Sequence, residues 1–437
     1  MMIAYLKKII KSQRKIYITI MTILTILSSF EFVLLGIYSC FSESKGYDHF
    51  LLKFIPAMAI FISFFLTLFI NNYFIENKNE EFSIILLSGS RMKEVLEYIV
   101  IQFGILFLLS DILGFVLGIV LMEAINHIQT YYFAYSLNTV FYTFCGILLC
   151  KIIYVFLLNF GKFFQIKLDI ADYISHHTSS TSKPSYFSSR LLNENKKHKF
   201  PIKAFITTVA GIILIVLSIQ GLFDNDNDTL LPVYFVFFLL GEIILINKTI
   251  PLVYDFMHDR KLLKSPRLIL ILANIMNLSK ILVSMINILA CVIPICLSNF
   301  FLGMMDQEIK AVTMVCFYIL LIMMLLSFIL RFQIYLPSIE TDIATEKAIG
   351  YRYNQLLYIY NFVVIGFMVL IVIIPLILYT LLLYRAYQLS YITMSIVITL
   401  VLSYLIIFSL LAIYMIYQYH QTIKEAYNDV KYLNRSE

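Results

Sequence analysis

Long apolar runs alternate with short polar segments along almost the whole chain. Ten of these runs reach roughly 20 residues, which is enough for an α-helix to cross a hydrocarbon core of about 30 Å. We place them at residues 16–39, 54–74, 98–122, 138–160, 203–223, 231–249, 281–303, 312–331, 358–383 and 391–417. The pattern therefore predicts an all-α, polytopic membrane protein with ten transmembrane helices.

The composition agrees with a membrane protein. The chain is 61% hydrophobic and only 14% charged, whereas soluble proteins average about 25% charged residues. The richness in Ile, Lys, Asn, Phe and Tyr points to an AT-rich bacterial genome. The six cysteines all lie in or beside apolar runs, and we interpret them as packing residues.

The basic residues are distributed unevenly among the polar segments. Residues 1–15, 161–203 and 249–280 are rich in Lys and Arg, whereas the 224–230 segment, DNDNDTL, has acids and no bases. Because Lys and Arg concentrate in cytoplasmic segments, we predict a bacterial cell-membrane protein with both termini in the cytoplasm. The net charge of +6 then reflects topology rather than nucleic-acid binding.

One polar segment occurs twice. Residues 80–96 read EEFSIILLSGSRMKEVL, and residues 341–357 read TDIATEKAIGYRYNQLL. Aligning Gly89 with Gly350 also aligns these pairs: Glu81 with Asp342, Arg91 with Arg352, Val95 with Leu356 and Leu96 with Leu357. Each copy lies between the second and third spans of a four-span group, so the repeat predicts a duplicated membrane module.

The repeat organises the ten spans as four plus two plus four. The predicted divisions are a basic amphipathic N-terminus (1–15), a first four-span module (16–160), a cytoplasmic linker (161–203), two linking spans with a cytoplasmic segment (204–280), a second four-span module (281–417) and a cytoplasmic tail (418–437).

Each copy of the repeat predicts a short helix, a turn at glycine and a long helix that enters the membrane. A glycine at this position suits a tight turn with positive φ. The resulting cytoplasmic knob could fit a groove on a partner protein. The alternative is an amphipathic helix that lies in the headgroup region of the membrane.

This pattern of an acid, apolar residues, a glycine and a following base before a span resembles the FtsX-like permease domain of ABC transporters. Two such modules joined by two spans resemble the ten-span, bacitracin-efflux (BceB-like) type. The resemblance covers about 16–160 and 281–417. It implies a dimeric ABC ATPase partner that supplies ATP and Mg²⁺ and drives the spans from the cytoplasm. By position, the residues near that contact are Glu81, Leu86, Gly89, Arg91, Asp342, Lys347, Gly350 and Arg352.

The chain departs from that type on the outer side. Bacitracin-efflux permeases carry a large extracellular domain between spans 7 and 8, whereas only GMMDQEIKA connects these spans here. We therefore expect the substrate to be met in the bilayer. The candidates are an antimicrobial or bacteriocin-like peptide, which would give peptide resistance, and a membrane lipid.

Charged residues inside predicted spans are functional candidates because they are costly in a membrane. Asp111 and Lys151 lie at similar depths in spans 3 and 4, and we predict an ion pair between them. For Glu31 and Glu242, no partner for an ion pair is evident in the sequence. Gly114 and Gly118 form a Gly-x-x-x-Gly pattern that allows close helix approach, most simply within the monomer.

No enzymatic site is expected on this chain. No P-loop pattern occurs, and no metal-ligand or catalytic spacing is evident. Our first hypothesis is the permease subunit of an ABC complex. The second is a membrane sensor or regulator that acts on a partner such as a histidine kinase or a hydrolase without transport. The third, an ion-coupled transporter, is disfavoured because the modules are not inverted repeats.

Overall fold

The computed structural model describes most of the chain. The described residues are 14–41, 47–87, 92–128, 132–178, 202–223, 236–245, 266–302 and 307–433, together with Tyr234, Asn247 and Lys248. Within these ranges the secondary structure is helical, with short turns between helices and no strand. The all-α prediction is therefore confirmed.

Twelve α-helices run through the described residues, and a π-helical turn, Val369–Ile373, separates α10 from α11. The α-helices are α1 (Arg14–Cys40), α2 (Tyr47–Leu87), α3 (Met92–Ile128), α4 (Leu137–Thr178), α5 (Ile202–Phe223), α6 (Val236–Leu245), α7 (Pro266–Ile281), α8 (Val283–Leu302), α9 (Gln307–Ala348), α10 (Tyr353–Met368), α11 (Ile374–Gln388) and α12 (Met394–Leu433).

Seven stretches of the described residues are long and apolar enough to cross a membrane, judged by length and composition. They are Tyr17–Cys40, Lys53–Asn72, Val100–Ile128, Leu137–Leu157, Glu308–Gln333, Tyr353–Gln388 and Met394–Tyr427. These stretches coincide with predicted spans 1–4 and 8–10. The protein is thus a multi-pass membrane protein.

The three remaining predicted spans look different in the structure. Span 7 corresponds to α7 and α8, whose axes are bent by 66° at the break between them. Spans 5 and 6 correspond to shorter apolar stretches among the described residues, Phe205–Gly221 within α5 and Val236–Leu245. The ten-span arrangement therefore stays a prediction in this part of the chain.

The chain divides into two compact units. Unit 1 comprises residues 1–180 and 305–330, and unit 2 comprises 181–304 and 331–437. The predicted N-terminus and cytoplasmic linker lie largely outside the described residues, although α4 continues into the linker as far as Thr178.

Unit 1 is organised around α1, which packs along α3 and also contacts α2 and α4. The closest approach is made by small residues. A Cβ atom on Gly114 would lie 2.4 Å from Ser28 Cβ, and one on Gly118 would lie 2.6 Å from Phe32 Cβ. The Gly-x-x-x-Gly pattern therefore brings two helices of the same chain together, as predicted.

Unit 2 is organised around α10, which packs on α7 and α12, while α8 packs on α11. Two prolines of this unit occupy different positions in their helices. Helix α8 continues through Pro294. Pro375, by contrast, lies in the first turn of α11, directly after the π-helical turn, because a proline cannot donate the helical hydrogen bond.

Candidate functional site

The second copy of the repeat forms a helix, a turn and a second helix. Helix α9 leaves its apolar span at Gln333 and continues to Ala348. This extension of about fifteen residues spans about 22 Å at 1.5 Å per residue. The chain turns at Gly350, whose φ is +107°, and α10 begins at Tyr353. The predicted turn with positive φ is therefore confirmed in this copy.

Backbone hydrogen bonds close the turn on both sides. The Gly350 N–H donates to the carbonyl of Lys347 at 2.9 Å, and the Tyr351 N–H donates to the carbonyl of Glu346 at 3.2 Å. This pair of bonds is the Schellman arrangement that ends a helix at a glycine. On the other side, the Arg352 N–H donates to Gln355 Oε1 at 3.0 Å and caps the start of α10.

Helix α12 holds the turn in place. Lys347 Nζ donates to the carbonyl of Ala426 at 2.7 Å and lies 4.5 Å from the centroid of the Tyr427 ring. The Tyr427 hydroxyl donates to the carbonyl of Tyr351. Lys347, which we predicted near a partner, thus also anchors the turn to its own unit. Its contact with a partner stays a prediction.

The tip of the turn is exposed. Gly350 and Arg352 are both exposed, and the side chain of Ile349 between the two helices is 71% exposed. Sequence reasoning missed Ile349, although an apolar residue directly before the helix-ending glycine was a visible signal. An apolar side chain beside a base suits insertion into a groove on a partner.

Two carboxyl groups lie one helical turn apart on the extension of α9. Glu346 is buried and Asp342 is half-buried. Burial raises the pKa of Asp342 to about 6. Burial also raises the pKa of Glu346 to about 7, and the nearby Asp342 carboxyl adds to that shift. The Tyr360 hydroxyl donates to Glu346 Oε1 at 3.4 Å. Glu346 was not among the predicted site residues.

The first copy of the repeat is described only in part. Helix α2 leaves its apolar span at Asn72 and continues to Leu87, again about fifteen residues. Glu81 and Leu86 lie in this helical extension. Gly89 and Arg91 lie outside the described residues.

The charged residues inside unit 1 form a different pair from the one predicted. Lys151 Nζ binds Glu31 Oε1, and both side chains are 2% exposed. Asp111 instead accepts a hydrogen bond from the Ser28 hydroxyl. The predicted Asp111–Lys151 pair is therefore wrong, because α1 contacts both α3 and α4 and places Glu31 against Lys151. Phe64 of α2 also covers Lys151, with its ring centroid 5.5 Å from Nζ.

Glu242 also has a hydrogen-bond partner that could not be identified from the sequence. The Tyr379 hydroxyl donates to Glu242 Oε1 at 2.8 Å, and both side chains are buried within unit 2. The contact joins α6 to α11. A hydrogen bond to a buried carboxyl lowers the cost of placing it in an apolar interior, which is consistent with a structural role.

The comparisons with known proteins address unit 1. Residues 53–164 match the family model described as FtsX-like permease C-terminal. This region extends from the span of α2 into α4 and contains the first copy of the repeat. A comparison with curated proteins gave no match. This region of the chain is thus similar to an FtsX-like permease domain, a domain that occurs in the membrane subunits of ABC transporters.

Proposed function

We propose that this protein is the permease subunit of an ABC-type complex that moves a substrate out of the membrane. In this proposal a dimeric ATPase partner binds ATP and Mg²⁺ in the cytoplasm and engages both copies of the repeat. The observation that carries the proposal is the exposed helix–glycine–helix turn at Gly350, in a chain whose residues 53–164 match an FtsX-like permease domain.

The geometry of the turn supports mechanical coupling. Helix α9 runs without a break from its apolar span to Ala348, and α10 returns from Tyr353 directly into an apolar stretch. Because the turn is bonded to α12 through Lys347 and Tyr427, a force on its tip would reach three helices. Rigid helices are suited to transmit such displacements.

The proposed substrate is captured from the membrane. Only a short connection, GMMDQEIKA, separates predicted spans 7 and 8, which leaves little outer surface for a soluble ligand. An amphipathic peptide or a lipid would reach the spans laterally. The BceB-like layout, with ten spans and cytoplasmic termini, belongs to the same proposal.

Co-purification from a bacterial membrane tests the partnership. The intact chain in detergent should retain an ABC ATPase, and Arg91→Glu with Arg352→Glu should abolish that retention while the chain still inserts into the membrane. Lys424→Glu is a matched control, since it reverses an exposed charge on α12 outside the repeat. Retention of the ATPase by the double variant would favour interfacial helices instead.

The transport step needs its own measurement. Export of a labelled peptide or lipid from vesicles should require both the permease and an ATPase that hydrolyses ATP. An ATPase that binds normally and hydrolyses ATP without any substrate movement would favour a sensor or regulator.

A further inference from the structure

Unit 1 contains an apolar cavity between α3 and α4. Its volume is about 220 Å³, and its lining includes Phe103, Gly104, Phe107, Ile152, Val155 and Phe156. For comparison, an apolar cavity of about 150 Å³ is sufficient for a benzene molecule. The cavity therefore has room for an aromatic ring or a short alkyl arm.

Gly104 leaves part of this space open. A Cβ atom built on Gly104 would meet nothing within 4 Å, unlike Gly114 and Gly118 farther along the same helix. The absence of a side chain at Gly104 thus leaves part of the cavity empty, and a larger residue at this position would fill it.

The cavity lies one helical turn from the buried charges of unit 1. Phe107 precedes Asp111 by four residues on α3, and Lys151 precedes Val155 by four residues on α4. Residues four apart share a helix face. Phe107 and Val155 therefore share helix faces with Asp111 and Lys151, about 6 Å away along each axis, and the two charged residues lie just beyond the lining of the cavity.

The buried charged residues of unit 1 include two acids, Glu31 and Asp111, beside one base, Lys151. Lys151 is bound to Glu31 and also attracts the Asp111 carboxylate, so the two acids share one base. Asp111 is 3% exposed, and among the described residues no hydrogen-bond partner reaches its Oδ2 atom. A buried carboxylate without a counter-charge is costly in an apolar interior. A ligand with a positive charge and an N–H donor would supply the missing counter-charge and a hydrogen bond to Asp111 Oδ2.

We propose that unit 1 binds a lipophilic monocation, with an apolar group in the cavity between α3 and α4 and an ammonium group at Asp111. This inference rests on the proposed function, because it names the chemical class of the substrate. The apolar cavity supplies affinity through burial, and the Asp111 carboxylate supplies selection for charge.

Because the chain has no tryptophan, the fluorescence of a single introduced tryptophan can report on binding at this site. Ile153 lines the cavity and is 59% exposed, so Ile153→Trp places a single indole beside it. The purified full-length chain in nanodiscs, without any ATPase, is titrated with para-bromophenylbutylammonium, and bromine quenching of the indole is followed. The isosteric alcohol, para-bromophenylbutanol, is the neutral control probe.

The proposal predicts saturable quenching by the ammonium and binding of the alcohol that is about tenfold weaker or more. Asp111→Asn should remove this preference. Gly104→Leu should abolish saturable quenching by both probes, with Gly104→Val as a smaller replacement if the leucine variant does not fold. Gly146→Leu is the matched control, because Gly146 of α4 also has open space around it but does not line the cavity.

Two results would overturn the proposal. One is equal binding of the ammonium and the alcohol, which would show that a proton already neutralises Asp111. The other is quenching that rises linearly with probe concentration, as from lipid partitioning alone. Because the ATPase is absent from this experiment, its failure would leave the proposed partnership untouched, and failure of co-purification would leave the binding result untouched.

Discussion

Lys151 and Glu31 are 120 residues apart in the sequence, yet the Lys151 ammonium binds the Glu31 carboxylate in the interior of unit 1. The pair joins α4 to α1, the helix around which the unit is organised. Both side chains are almost fully buried, so neither charge can be satisfied by water if the other is removed.

Removal of one member of this pair should destabilise unit 1 strongly. Lys151→Met leaves Glu31 buried without its base, and such changes cost about 3–5 kcal/mol. The double variant Glu31→Leu with Lys151→Met should recover most of that loss, because neither member of the pair then remains as a buried charge without the other. Unfolding of the purified protein in a denaturing detergent measures both. Equal destabilisation of the single and double variants would contradict a paired role.

Two glycines of α3, Gly114 and Gly104, should respond in opposite ways to substitution by alanine. Gly114→Ala places a Cβ atom 2.4 Å from Ser28 Cβ and 3.0 Å from the carbonyl oxygen of Thr25, so α1 and α3 must separate. We expect a lower melting temperature. Gly104→Ala meets no atom and should be neutral or stabilising by about 0.5–1 kcal/mol, the usual preference for alanine over glycine in a helix. A comparable loss in both variants would argue against close packing at Gly114.

The Gly350 turn should be sensitive to side chains for a backbone reason alone. A Cβ atom on Gly350 would meet nothing within 4 Å, but its φ is +107°, a conformation that residues with side chains rarely adopt. Gly350→Ala should therefore cost about 1–3 kcal/mol of local stability. Hydrogen exchange of residues 346–356 should accelerate, whereas exchange in α1 should not change.

Gly146→Ala is the matched control for this experiment, since Gly146 has the same open surroundings within a regular helix. Accelerated exchange at the turn in that variant, or none in Gly350→Ala, would contradict the assignment of strain to Gly350.

The extension of α9 beyond its apolar span should become less stable as the pH rises. The pKa values of Asp342 and Glu346 are raised to about 6 and about 7, against about 4 in an unfolded chain. The folded form therefore binds more protons than the unfolded form between pH 4 and 7, so stability falls with rising pH across this window. Ionisation of both acids places two like charges one turn apart.

Hydrogen exchange of residues 341–348, corrected for the intrinsic pH effect, measures this change. Protection should decrease between pH 5 and pH 8 in the native chain and depend less on pH in Asp342→Asn with Glu346→Gln. Glu340→Gln, at an exposed position of the same helix, should retain the native profile. An unchanged profile in the double variant would exclude these two groups as its source.

Local patterns predicted much of this architecture because they act over a few residues. The end of α9, the turn at Gly350 and the restart at Tyr353 follow from one glycine between amphipathic segments. The close approach of another helix to α3 likewise follows from the spacing of Gly114 and Gly118, but the identity of that helix as α1 came from the structure.

The ion pairs could not be predicted in the same way. Lys151 was assigned to Asp111 because adjacent antiparallel helices place these residues at matching depth, but a third helix supplied Glu31. The contacts of Lys347 with Ala426 and of Glu242 with Tyr379 also depend on packing between segments 79 and 137 residues apart. Hydrophobic periodicity gives no information about contacts between residues so far apart in the sequence.

The π-helical turn Val369–Ile373 has a consequence for the rotational register of the helices on either side. A π turn encloses one more residue than an α turn, so it accommodates a single inserted residue without rotating the helical segments on either side. Tyr360, which binds Glu346, lies before the turn, and Tyr379, which binds Glu242, lies after it. Deletion of one residue in this turn should yield a continuous α-helix that keeps both contacts.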